Sequence, residues 1–199
     1  MTFRVLFDAC VLLPYQLCDL LLRLGETDIY QPLWSNEILD EVERNLIKAF
    51  DRTEQQASRR VGQMRKAFPH ATVSGFEALI PVMTNDAKDR HVLAAAVHGK
   101  AAMVVTANRK DFPVEALEPY GIEAVHPDDF LLDQLDLYPR QTIQCMLEQR
   151  LSYSQPALSQ SEFYNSLRLT VPHFADAAQG FQGPGPYLEL VADTGRGPR

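Results

Sequence analysis

Between Phe3 and Leu13 the chain reads FRVLFDACVLL, an apolar run on both sides of one carboxylate, Asp8. An unpaired carboxylate in an apolar interior is costly. Such a chain must therefore place Asp8 where a partner can reach it, and the end of a buried strand is such a place. Residues 3–7 form a short β-rich run that ends on Asp8 and read as the first strand. Residues 101–106, AAMVVT, are a second continuous apolar run of strand length, bounded by Gly99 and by polar residues from Asn108. Strands covered on both faces read this way, and such strands belong to parallel sheets. Ligands of open parallel sheets bind at the carboxyl ends of the strands. Asp8 and the TANRKDF segment, Thr106 to Phe112, should therefore open onto one edge.

Helical spacing fills the intervals. Residues 12–24 carry Leu13, Leu17, Leu20, Leu21 and Leu24 and are read as stopping at Gly25. Residues 29–33 read as a second strand. Ser35 can cap a helix in which Ile38, Val42 and Leu46 recur every four residues. A polar, basic helix is expected over 53–68, ended by Pro69, then a strand over 71–74. Asp86 or Asn85 is expected to cap a helix that runs to His98 before Gly99, and residues 122–125 form a last strand. This alternation predicts an α/β fold, a parallel sheet flanked by helices. Past Pro127 the pattern becomes helical, over 129–137, 140–151 and 159–169. The organisation expected is a domain over 1–128, a small α-helical C-terminal extension over 129–180, and a Gly/Pro-rich flexible tail over 181–199 whose residues 187–191 can dock.

Composition narrows the function classes. No apolar run approaches the ~18 residues of a membrane span, and the N-terminus lacks a signal-peptide cleavage pattern. Three cysteines, Cys10, Cys18 and Cys145, are too few for a disulfide framework and lack zinc-site spacing. They fit a reducing cytoplasm, as small hydrophobes. The net charge of −7 argues at first sight against nucleic acid. Its distribution does not: residues 44–66 hold Arg44, Lys48, Arg52, Arg59, Arg60, Arg65 and Lys66 against only Asp51 and Glu54. A local basic segment can grip a phosphate backbone, although a solvated helix surface reads the same.

Acids gather around the predicted edge. Asp111 and Asn108 follow the 101–106 strand. Glu41 lies off the Ile38–Val42–Leu46 stripe, and Asp89 falls at the third position of a helix capped by Asp86. Read singly, Glu41 is a solvated helix residue, Asp111 a turn former, and Asp86 a cap. Read together, four carboxylates on one edge repel each other unless a hard divalent cation such as Mg²⁺ or Mn²⁺ intervenes.

VLFDACVLLP, the helix ILDEVERNL and the stretch DAKDRHVLAAAVHGKAAMVVTANRKDFP together resemble PIN-domain endoribonucleases, closest to the VapC-type toxins of toxin–antitoxin pairs. The most specific part is an acid opening an Ala-rich helix, a small apolar strand, then T-x-N-x-x-D-F. The resemblance covers about residues 3–128, and His126 to Phe130 matches the HPDDF-like start of a helical extension found in near relatives. It implies a catalytic, metal-binding set of Asp8, Glu41, Asp89 and Asp111, supported by Thr106 and Asn108. Many family members carry an acid where Asn108 stands. It further implies Mg²⁺ or Mn²⁺ as cofactor, cleavage of RNA to a 5′-phosphate and a 3′-hydroxyl, a cognate antitoxin, and a homodimer. Arg44, Lys48, Arg90, Arg109 and Lys110 neighbour the acids in sequence and are candidate phosphate contacts; Arg90 and Arg109 can equally serve to neutralise adjacent acids. His91, about 100° round the helix from Asp89, reads as a core or surface histidine. Other readings are a non-toxin RNA-processing nuclease on the same fold, a catalytically silent PIN-like module, and a phosphoacceptor domain of the response-regulator type. The last would need paired acids near the first strand rather than acids from helices.

Overall fold

The computed structural model describes residues 3–154 and 157–181. Five strands, β1 (Arg4–Phe7), β2 (Gln31–Ser35), β3 (Thr72–Val73), β4 (Met103–Val105) and β5 (Glu123–Val125), form one sheet in the order β3-β2-β1-β4-β5. Every pairing is parallel. The chain starts at the centre, walks outward through β2 and β3, then returns to build β4 and β5 on the other side of β1. The order therefore reverses between β1 and β4, and a crevice opens at such a switch point beyond the carboxyl ends of the strands. Asp8 leaves β1 and Thr106 leaves β4 at that point.

The N-terminal helices are α1 (Ala9–Leu12), α2 (Tyr15–Glu26), α3 (Asn36–Ala49), α4 (Glu54–Ala67), α5 (Arg90–Gly99) and the short α6 (Val114–Leu117). Helix α5 packs on β1, β2, β3 and β4, and Val92, Leu93, Ala94, Ala95 and Ala96 are all buried. Successive alanines allow a helix to lie close to a sheet. Ser35 ends β2 and caps α3, accepting from the Ile38 N–H at 3.2 Å, and Thr53 with Gln56 forms a capping box on α4.

Helices α7 (Pro127–Leu137), α8 (Pro139–Ser152), α9 (Gln160–Arg168) and α10 (Pro172–Gly180) complete the described chain. They share the core of the sheet. Phe130 of α7 meets Phe7 and Tyr30 edge-on, with ring centroids 6.0 and 5.2 Å away. The buried apolar residues form one continuous cluster from Val5 to Ala178. Asp128, 3% exposed, joins α7 to α10: it accepts from the backbone N–H of His173 (3.1 Å) and of Phe174 (2.8 Å), and lies 2.7 Å from His173 Nδ1. The HPDD stretch thus caps two helices, because His126 caps α7 through Nδ1.

Several boundaries differ from the sequence expectation for local reasons. The helix expected over 12–24 is two helices, separated at Leu13 and Pro14. Gly25 does not stop α2 but lies inside it; a Cβ there would come 3.3 Å from Pro32 Cδ, so the glycine serves close packing. Asp86 does not cap α5, which begins at Arg90 with Asp89 at its N-cap position. The Asp86 carboxylate accepts from Lys88 N–H at 3.0 Å and shapes the preceding turn instead. Gly99 is the last residue of α5, and Lys100 takes the left-handed conformation after it (φ 55°). The 3₁₀ segment Glu77–Val82 and helix α10 were not anticipated. Most of the expected tail, including residues 187–191, lies outside the described residues.

Candidate active site

Asp8 is 5% exposed, and both of its carboxylate oxygens accept hydrogen bonds. Its Oδ1 accepts from the Ala9 N–H at 2.6 Å at the start of α1. Its Oδ2 accepts from Thr106 Oγ1 at 2.7 Å and from the Cys10 thiol at 3.2 Å. Three donors answer the burial cost that the sequence raised. Thr106, itself fully buried, accepts from Asn108 N–H at 3.0 Å, and Asp8 N–H donates to Val105 O at 3.1 Å. The two strand ends are therefore stitched together through Asp8. Burial and then the Asp8 charge push the Cys10 thiol up to about 12, so it stays a protonated donor.

Asp89, partly buried, makes no side-chain capping bond at the start of α5. Its pKa rises from 3.8 to about 6, first through burial and then through the charges of Asp8, Asp111 and Asp86, with His91 opposing. Three of the four predicted acids thus share one electrostatic neighbourhood. Asp86, read from sequence as a simple cap, belongs there too. Its N–H donates to Asp111 O at 3.2 Å, tying the loop before α5 to the turn Arg109–Asp111. Asn108 is exposed at the head of that turn.

Glu41 is half-buried on α3, which packs against α1. No hydrogen bond or ion pair engages its side chain among the described residues, and its charge is not among those acting on Asp89. The structure brings Asp8, Asp89 and Asp111 together and leaves Glu41 on the neighbouring helix. Among the described residues no three His, Cys, Asp or Glu side chains are gathered tightly enough to chelate an ion as they stand. The donor chemistry nonetheless suits a hard divalent cation: the groups are carboxylate oxygens, and after burial the charges of Asp8, Asp111 and Asp86 add to the rise at Asp89.

The predicted cations divide into free and engaged. Arg44, Lys48 and Lys110 are exposed. Arg109 lies 3.8 Å from Asp129 of α7, both half-exposed or more. Arg90 is half-buried, with Nε 3.4 Å from Asn85 O. Within the basic helix, Arg60 donates to the Leu12 and Leu13 carbonyls at 2.6 and 3.0 Å and so clamps the end of α1. Arg65 donates to Asn36 Oδ1 at 3.0 Å. Part of that basic segment is therefore structural. His91 rests Nδ1 on Lys88 O at 2.9 Å. Sequence reasoning read Cys10 as a small hydrophobe and missed its contact with Asp8; its place two residues after Asp8, on the first turn of a helix, was the available signal. No helix among the described residues is long and apolar enough to cross a membrane.

The family model described as "PIN domain" matches residues 4–110, and one described as "VapC50 C-terminal domain" matches residues 127–180. A Mycobacterium tuberculosis (strain ATCC 25618 / H37Rv) protein named "Putative ribonuclease VapC50" is 49% identical over 105 residues, a stretch that is 53% of this chain and 62% of that protein. The match thus spans less than two thirds of the relative's length. No solved structure matches the chain. With more than half its length matched by the family model, on the sheet and loops that carry Asp8, Asp89 and Thr106, the chain belongs to the PIN domain family.

Proposed function

We propose that this protein is a divalent-metal-dependent endoribonuclease of the VapC type, cleaving RNA phosphodiester bonds as the toxin of a toxin–antitoxin pair. One observation carries the reading. At the switch point of a parallel sheet, burial and then the charges of Asp8, Asp111 and Asp86 lift Asp89 to about 6, so these acids stand close enough for a cation to relieve their repulsion. The name of the Mycobacterium tuberculosis relative and that of the C-terminal family model point the same way.

Asp8, Asp89 and Asp111, with Glu41 from α3, are the residues that would hold Mg²⁺ or Mn²⁺, directly or through water. The bound cation supplies a water of lowered pKa and shields the charge that develops on the scissile phosphate. The chain supplies the rest. Thr106 fixes Asp8 through its 2.7 Å hydrogen bond. Asn108 offers an exposed amide beside the acids for orienting a water or phosphate oxygen. Arg109, Lys110 and Arg90, with Arg44 and Lys48 on α3, counter the acids so that an RNA backbone can approach. A cognate antitoxin, a homodimer and a cytoplasmic setting complete the proposal.

The test is cleavage of RNA by purified wild type, Asp8→Asn and Asp89→Asn in the presence of Mg²⁺ or Mn²⁺. Both substitutions should abolish cleavage, and growth arrest on expression, while the proteins remain folded. Undiminished metal-dependent cleavage by either variant refutes the assignment. Metal-dependent cleavage without growth arrest would support the nuclease and refute the toxin role.

A further inference from the structure

Cys18 and Cys145 are buried in the core, whereas Cys10 is only partly buried and faces polar atoms. Its Sγ lies 3.2 Å from Asp8 Oδ2 and 3.5 Å from Thr106 Oγ1, and accepts from the Ala107 N–H at 3.3 Å. Thr106 Oγ1 donates to the same Asp8 Oδ2 and accepts from the next amide, Asn108 N–H. Two successive backbone amides leaving β4 thus end on two side chains that both direct a hydrogen at one carboxylate oxygen. Those amides lead straight into the turn that carries Asp111.

The lone pairs of Asp8 can be counted. Oδ2 has two, matched by Thr106 and Cys10; Oδ1 has two, of which one receives the Ala9 N–H at 2.6 Å. One acceptor direction remains, on Oδ1. A mere space-filling cysteine would not account for this pattern, because an apolar residue of similar size would give the exposed Ala107 N–H up to solvent and leave Oδ2 with one donor.

We propose that Cys10 is a positioning residue of the nuclease site: its thiol holds the Asp8 carboxylate in register with the Asp111 turn and leaves Oδ1 as the oxygen open to a divalent cation. The inference rests on the metal-dependent reading given above. It predicts that serine, which keeps both the donor and the acceptor, substitutes for Cys10, and that alanine does not.

The experiment compares wild type, Cys10→Ala and Cys10→Ser in two measurements. Amide exchange of Ala107, followed by NMR on the metal-free protein, reads the tie itself. Protection should persist in wild type and Cys10→Ser and fall about tenfold in Cys10→Ala. Mn²⁺ titration, by the signal of free Mn²⁺ and by RNA cleavage, reads the consequence. Cys10→Ala should need about tenfold more Mn²⁺ with an unchanged KM for RNA, in line with the cost of removing groups that orient metal ligands. Cys10→Ser should lie within about threefold of wild type. Unchanged exchange or an unchanged Mn²⁺ requirement in Cys10→Ala overturns the inference alone, as does Cys10→Ser failing as badly as Cys10→Ala. A wild type that binds no Mn²⁺ overturns both the inference and the reading beneath it.

Discussion

Replacing Asp89 with asparagine should make the metal-free protein more stable while removing its activity. The Asp89 carboxyl is lifted from 3.8 to about 6 by burial and by the charges of Asp8, Asp111 and Asp86. A raised folded pKa means that the folded state holds the proton more tightly than the unfolded chain. Stability from this group is therefore fully present below about 3.8 and is lost as pH rises through about 6. At about 1.4 kcal/mol per pKa unit, the gap caps the effect near ~3 kcal/mol. Asp89 is only partly buried, so solvent screening brings it to about 1 kcal/mol. Asp89→Asn removes the charge and sacrifices no capping bond, because the side chain makes none. Thermal denaturation without metal should place the variant about 2–4 °C above wild type at pH 7.5, with the two curves converging near pH 4. Added Mg²⁺ should then raise the melting temperature of wild type and not that of Asp89→Asn. A variant no more stable than wild type at pH 7.5, or a difference that persists unchanged to pH 4, would refute the electrostatic account of the site.

Asp128→Ala should cost about 2–3 kcal/mol, since it strips three donors from a buried carboxylate that caps α10. Urea denaturation should show this as a lower midpoint in a single transition, because α7–α10 share the core of the sheet. Lys110→Ala should weaken RNA binding evenly across sequences and reduce the salt dependence by about one phosphate contact, as measured by binding isotherms at several salt concentrations. Arg60→Ala should leave that salt dependence unchanged and instead cost about 1–2 kcal/mol of stability, because its guanidinium already serves the carbonyls of Leu12 and Leu13.

Much of the fold is local in origin and so was readable in the chain. Val5 to Phe7 and Ala101 to Val105 are apolar without alternation, which marks strands covered on both faces, and the five-stranded sheet is parallel throughout. Ser35, Thr53 and Ser159 cap helices where their short hydroxyl side chains stand before helical spacing. The candidate site was legible for a related reason: Asp8 is an acid in an apolar run, which is tolerable only with partners. What those partners are could not be read locally. Thr106 is 98 residues away, and only the return of the chain to β4 beside β1 brings its hydroxyl to Asp8. Asp86 and Gly25 look like a helix cap and a helix stop, because local sequence cannot show the Asp111 backbone beside one or Pro32 beside the other. Asp128 stands just before the helix expected over 129–137, and nothing local shows the α10 amides that fold back onto it. Periodicity and capping determine elements within a few residues of chain; the pairing of Asp8 with Thr106 and Cys10, and the shared field of Asp8, Asp89 and Asp111, exist only once distant strand ends meet at one edge.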